Sequence, residues 1–226
     1  MIRALTLLLA LAYPLLAHAA AWTQRPGLVL AAAAVLVLAM LAAPLSRGRP
    51  WAIVALVLGA AGLWGLHATG RAMLPLYLPP VLLNLFMAWV FGASLTGGGE
   101  ALLTRVARVM HGEGPLPEGV AGYTRRLTLA WTLLFLALAV LSLVLALLAT
   151  PDGLLLAAGV VPPVTVAQAT WSLFANILNY VLVGALLVGE FLWRRHRFPD
   201  TDHGGLAGFL RRMAALGPAF WRRGGG

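Results

Sequence analysis

Ser172, Asn176, Asn179 and Glu190, all within one apolar run, form the most informative constellation of polar side chains in this chain. With Val183 and Leu186 they follow a 4-3-4-3-4 spacing, which on a helix lines all six along one seam. Inside a bilayer such groups find no water, so the seam is expected to face other helices rather than lipid. Ala185 and Gly189, four apart beside it, let another helix come close. Two uses fit the seam: hydrogen bonds that fix the bundle, or a polar lining that meets a substrate or handles protons. Glu190 divides the same way. One turn before Arg194 and Arg195 it can pair at a membrane boundary, whereas deeper and unpaired its neutral form would be favoured. Asn84, in an earlier run, is placed to meet the asparagines of the seam.

Other chemistry finds little support in the residues. Cysteine is absent, which removes disulfides, thiolate metal sites and cysteine nucleophiles. His18, His67, His111, His196 and His203 fall at run ends or in loops and share no metal-ligand spacing, so neither a metal nor a cofactor is expected. Five of the seven carboxylates (Glu100, Glu113, Glu118, Asp200 and Asp202) lie in loops or the tail, and no catalytic pair or Ser–His–Asp set can be built. Gly97-Gly98-Gly99 lacks the lysine of a phosphate loop. Trp22, Trp51, Trp171 and Trp193 stand at run ends, as an interfacial belt would.

The elements that position these residues are set by composition. Hydrophobic residues make up 61% of the 226 and charged residues 10%, against roughly 45–50% and 25% in soluble domains. Lipid must serve as part of the solvent. Six apolar runs are expected to span: 2–22, 28–45, 51–66, 72–95, 127–149 and 171–193, together a membrane domain of residues 1–199. Arg3 and Ala17-His18-Ala19 give the first run some likeness to a secretory signal, but its length and the later runs favour an uncleaved span. Pro75, Pro79 and Pro80 should kink the fourth run or start it as extended chain. The predicted fold class is all-α, a polytopic transmembrane helical bundle.

Every one of the 16 basic residues is arginine, and threading the chain six times puts 14 on one side, leaving only Arg25 and Arg71 on the other. Arginine near span ends resists crossing, so the rich side is expected to be the cytoplasm, with both termini there. The formal charge of +9 is thereby spread over span ends, which argues against nucleic acid as a partner. Loop 96–126 is cytoplasmic on this reading. Within it Glu100–Met110 is amphipathic, Leu102, Val106, Val109 and Met110 sharing a face opposite Arg105 and Arg108, as in a helix on a membrane surface. Residues 200–226 form a basic tail with a similar pattern at Leu206, Phe209, Leu210 and Met213. Leu154–Val161 has the character of a segment dipping into the interface.

Three stretches carry a resemblance: Pro75–Arg108, Leu116–Phe135 and Trp171–Pro199, the last being the most specific. They are similar to an uncharacterised family of bacterial multi-span membrane proteins encoded near fatty-acid-like or aryl-polyene biosynthesis genes, some labelled "ketosynthase". The resemblance covers roughly residues 74 to 199 and implies a pathway neighbourhood in the bacterial plasma (inner) membrane. As an activity the label is contradicted, since a condensing enzyme needs a nucleophilic cysteine on a larger soluble fold. The leading expectation is a non-catalytic accessory or scaffold of acyl-lipid or polyene biosynthesis. Its partners would be membrane lipids and cytoplasmic acyl-carrier or biosynthetic enzymes, met by Arg105, Arg108, Arg125 and Arg126. A transporter or flippase of a lipid-like product is the alternative, with a cavity lined by Asn84, Asn176, Asn179 and Glu190. An intramembrane lipid-modifying enzyme using Glu190 is the lesser one.

Overall fold

Prolines start the second and third helices and glycines end them. Pro26 and Pro50 occupy first-turn positions, where a missing N–H costs nothing. Gly48 and Gly70, at φ +63° and +72°, supply the left-handed residue that turns the chain out of a helix. In the computed structural model, which describes residues 2–96, 98–111 and 115–197, these marks bound α2 (Pro26–Ser46) and α3 (Pro50–Ala68), while α1 (Ile2–Thr23) gives way to Gln24 at φ +53°. Helix α2 carries Pro44 in its last turn and ends at Ser46, one residue beyond the run expected over 28–45.

The proline-rich start of the fourth run forms a 3₁₀ turn, Leu74–Leu76, before α4 (Leu78–Thr96). There follow α5 (Leu102–His111), α6 (Val120–Leu148), α7 (Leu154–Ala157) and α8 (Gln168–Leu173). A π-helical turn, Phe174–Leu178, joins α8 to α9 (Asn179–Arg197). The only strands among the described residues are β1 (Ala149–Thr150) and β2 (Val166–Ala167), paired in parallel with Ala149 opposite Val166. Five stretches are long and apolar enough to cross a membrane: Pro26–Ser46, Pro50–Ala68, Leu74–Thr96, Val120–Leu148 and Gln168–His196. The first run is the 22-residue helix α1. The tail pattern at Leu206–Met213 lies outside the described residues.

Among those residues the chain forms two compact units. The first takes 2–82 and 139–180, the second 83–138 and 181–197. In the first, α1 packs along α2 and against α8 and the π turn. Its core is made largely of small residues: Ala17, Ala20, Ala21, Ala32, Ala146, Ala149 and Ala175 are all within 1% of full burial, around Tyr77 and Trp171. Lipid tails are as apolar as leucine, so helices gain by close approach of small side chains rather than by hiding large ones. The large apolar residues accordingly sit outside, among them Leu11, Leu15, Val57, Leu58 and Trp64.

The second unit is held by an aromatic stack. Trp131 and Phe135 of α6 lie 5.6 Å apart between ring centres, with Phe91 of α4 5.9 and 5.7 Å from them, and Val183 and Leu186 pack on this cluster. Gly92 lets α4 come near α6, since a β-carbon there would stand 3.1 Å from the Thr132 methyl.

Gly153 in the first unit is under the tightest constraint. A β-carbon there would fall on the carbonyl oxygen of Ala149 and 2.8 Å from its carbon, where β1 begins. Gly153→Ala should therefore lower stability by about 1–3 kcal/mol or more, as overpacking does. Gly62→Ala on α3, where nothing lies within 4 Å, should change it by less than about 1 kcal/mol. Thermal midpoints of the two variants in one detergent give the comparison; equal midpoints would show the 149–153 approach to be unimportant.

Candidate functional site

The first unit brings together residues distant in sequence around Ser172. Its hydroxyl, fully buried, accepts from Asn176 Nδ2 at 3.1 Å, one helical turn on, and lies 3.0 Å from His18 Nδ1 on α1. The contact ties α1 to α8 across 154 residues of sequence. Immediately after it the π turn holds one extra residue in the helix. That residue rotates the C-terminal part of the span, so the uniform 4-3-4-3-4 seam is interrupted, although Asn176 and Asn179 both remain buried at 3% and 5%.

Around this tie sit polar groups with no hydrogen-bond partner among the described residues: the hydroxyls of Tyr13, Tyr77 and Ser142, the indole N–H of Trp171, and both amide atoms of Gln168. The Trp171 ring meets Tyr77 edge-on at 4.5 Å. Sequence spacing assigned Trp171 to an interfacial belt, and this is corrected: its side chain is fully buried, while Trp22, Trp51 and Trp193 are 51–69% exposed. Each bare buried group of this kind costs about 1–3 kcal/mol, so a cluster of them is the most unusual feature of the unit. Nearby at the unit's surface, Arg71 and Asp152 line an open cleft of about 130 Å³ with Gly70, Leu74 and Leu156.

Sequence reasoning passed over His18, Tyr77, Gln168 and Trp171 as members of a site. A signal existed in the chain itself, because Gln168, Trp171, Ser172 and Asn176 already share one helical face. His18 pointed to no partner from sequence alone.

In the second unit Glu190 accepts from the Tyr123 hydroxyl at 3.3 Å and pairs with Arg194 Nε at 3.3 Å, its side chain 7% exposed. Arg194 in turn stacks over the Phe191 ring at 5.9 Å. Asn84, on α4, is buried at 2%.

Helix α5 carries the basic residues, and its seat is built from hydroxyls. Ser94 Oγ accepts from the Leu102 N–H at 2.9 Å and Thr128 Oγ1 from that of Leu103 at 3.3 Å, capping the helix start from α4 and α6. Thr104 meets Thr124 at 2.7 Å. The buried face is thus Ala101, Leu102, Thr104 and Val106, pressed on protein; Val109, grouped with them by sequence, is instead 54% exposed. Arg108 forms an ion pair with Glu100, its Nε donating to Oε2 at 3.1 Å. Arg125 donates to the Leu95 carbonyl at 3.2 Å, closing the end of α4. Arg126 is exposed and Arg105 half-buried. Among the described residues no three His, Asp or Glu side chains could hold a metal together.

No family model, no curated protein and no solved structure matches this chain.

Ser172→Ala should break both bonds of the tie and cost about 1–3 kcal/mol, seen as a fall in the detergent unfolding midpoint. Ser142→Ala, which removes a hydroxyl without a partner among the described residues, should be neutral or stabilising; the reverse order would contradict the tie. The hydrogen bond from Arg108, opposed by burial and aided by the charges of Arg108 and Arg105, holds the Glu100 carboxyl below the ordinary carboxylate value. Its small contribution is present above that ordinary value and disappears as pH falls through the lowered one. Carboxyl NMR titration should show Glu100 moving back up in Arg108→Gln; an unmoved midpoint would refute the pairing.

Proposed function

We propose that the chain is a six-span protein of the bacterial inner membrane, both termini cytoplasmic, acting as a non-catalytic accessory of acyl-lipid or polyene biosynthesis. The observation that carries this is the mounting of α5. A short helix lying loosely on lipid would need no caps from its neighbours, yet α5 is bonded through Ser94, Thr104, Thr124 and Thr128. Its arginines are thereby presented at fixed positions, a preorganised surface that would suit an acidic soluble partner such as a carrier protein. Arg126 and Arg195 are exposed as well, and the threading by arginine placement would turn this face to the cytoplasm. The family resemblance at residues 74–199 supplies the pathway.

A second reading is favoured by the bare polar groups of the first unit: transport of a lipid-like product, for which Asn176 and Asn179 would line part of the route. Glu190, paired with Arg194 and Tyr123, is a weaker candidate for the lesser reading of an intramembrane enzyme.

Deleting the protein should change the profile of acyl-lipid or polyene products, and mild detergent extraction should bring soluble pathway enzymes down with it. The pair Arg105→Glu and Arg108→Glu should release those partners while leaving membrane insertion intact. Wild-type lipid profiles in the deletion strain, or partners retained by the double variant, would overturn the accessory role.

A further inference from the structure

Three side chains on one wall of the first unit's core present four buried polar atoms that no described residue satisfies: Tyr77 Oη, Trp171 Nε1, Gln168 Nε2 and Gln168 Oε1. Exposure of Tyr77, Trp171 and Gln168 is 0%, 0% and 2%. Tyr77 and Trp171 touch edge-on, and Gln168 precedes Trp171 by one turn on α8, hence on the same face. More than nine in ten buried polar groups in proteins have a partner, so four bare atoms gathered here describe the shape of an occupant.

The chemistry of that occupant is set by the donors and acceptors. The indole N–H and the amide N–H must donate, the amide oxygen must accept, and the phenol can do either. None of the three side chains is charged and the one carboxylate that bears on them, Asp152 near Tyr77, would repel an anion; the two N–H groups in turn cannot donate to a cation, so an ion of either sign is disfavoured. An apolar occupant would leave all four atoms bare. A neutral group that both accepts and donates satisfies them, and the smallest is a hydroxyl. We infer that Tyr77, Gln168 and Trp171 form a binding site for a neutral hydroxyl group, supplied either by water or by the headgroup of an uncharged lipid of the diacylglycerol type. The neighbouring His18–Ser172–Asn176 tie holds α8 in place beneath it, and Ser172 adjoins Trp171 in sequence. The site is independent of the basic face on α5 and stands whatever partner that face takes.

The test uses the full ¹⁵N-labelled chain in phosphatidylcholine bilayers, with the Trp171 indole resonance identified by its loss in Trp171→Phe. Magnetisation passing from water to this N–H within milliseconds identifies water as the occupant. A shift of the resonance on adding dioleoylglycerol, with no shift from added phosphatidylcholine, identifies the lipid hydroxyl. Absence of both responses overturns the site. Gln168→Met, similar in volume and lacking the amide, should move the Trp171 resonance and abolish whichever response was found. If that variant does not fold, Tyr77→Phe, which removes one oxygen, should do the same. A resonance and a response unchanged by the folded variant would also overturn the inference.

Discussion

Within hydrocarbon a polar group finds its partner inside the protein or goes without, and this constraint organises both units. Backbone groups meet it by helix formation, which is why nearly every described segment is helical. The side chains meet it less evenly. Along α6, Thr124, Thr128 and Thr132 each donate to the carbonyl four residues back, at 2.9, 2.7 and 2.9 Å. Thr124 and Thr128 then reach out to α5 as well. The same hydroxyls thus satisfy themselves locally and hold a second helix. Around Ser172 the accounting closes for Asn176 and His18 and stays open for Gln168, Trp171 and Tyr77.

Packing obeys the same solvent. Alanines occupy the core of the first unit while leucines, valines and tryptophans cover its outside, the reverse of a protein dissolved in water. The glycine at 153 answers a different, local demand: the chain turns back on itself so tightly that only backbone fits against the Ala149 carbonyl.

Much of this was legible in the residues. Apolar length and the Pro/Gly punctuation marked the first three helices nearly to their ends, because both depend on local chemistry alone, whereas α6 begins at Val120, inside the loop expected over 96–126. Ser172 and Asn176 were recognisable as a buried pair through their spacing. The features that stayed hidden depended on tertiary contact. Trp171 has the same position at a run's edge as Trp193, and only the arrival of Tyr77 and its neighbours buries one and not the other. Val109 lies on the apolar side of α5 but is 54% exposed, whereas Leu102 and Val106 on that side are buried against protein, a division that periodicity alone does not draw. The π turn at 174–178 has no residue pattern that announces it, and His18 gains a partner only through the packing of α1 on α8.

The proposed orientation, with the basic face of α5 turned to the cytoplasm, rests on arginine dictating how the chain is threaded. Since the protein has no native cysteine, single cysteines can report on that threading directly. Ser46→Cys lies at the last residue of α2, beside the arginine-rich turn, and Val161→Cys in the arginine-free connection before α8, where the side chain is 82% exposed. A membrane-impermeant maleimide applied to spheroplasts should label Val161→Cys at once and Ser46→Cys only after the membrane is opened. The opposite pattern, or both sites reacting from one side, would contradict the account.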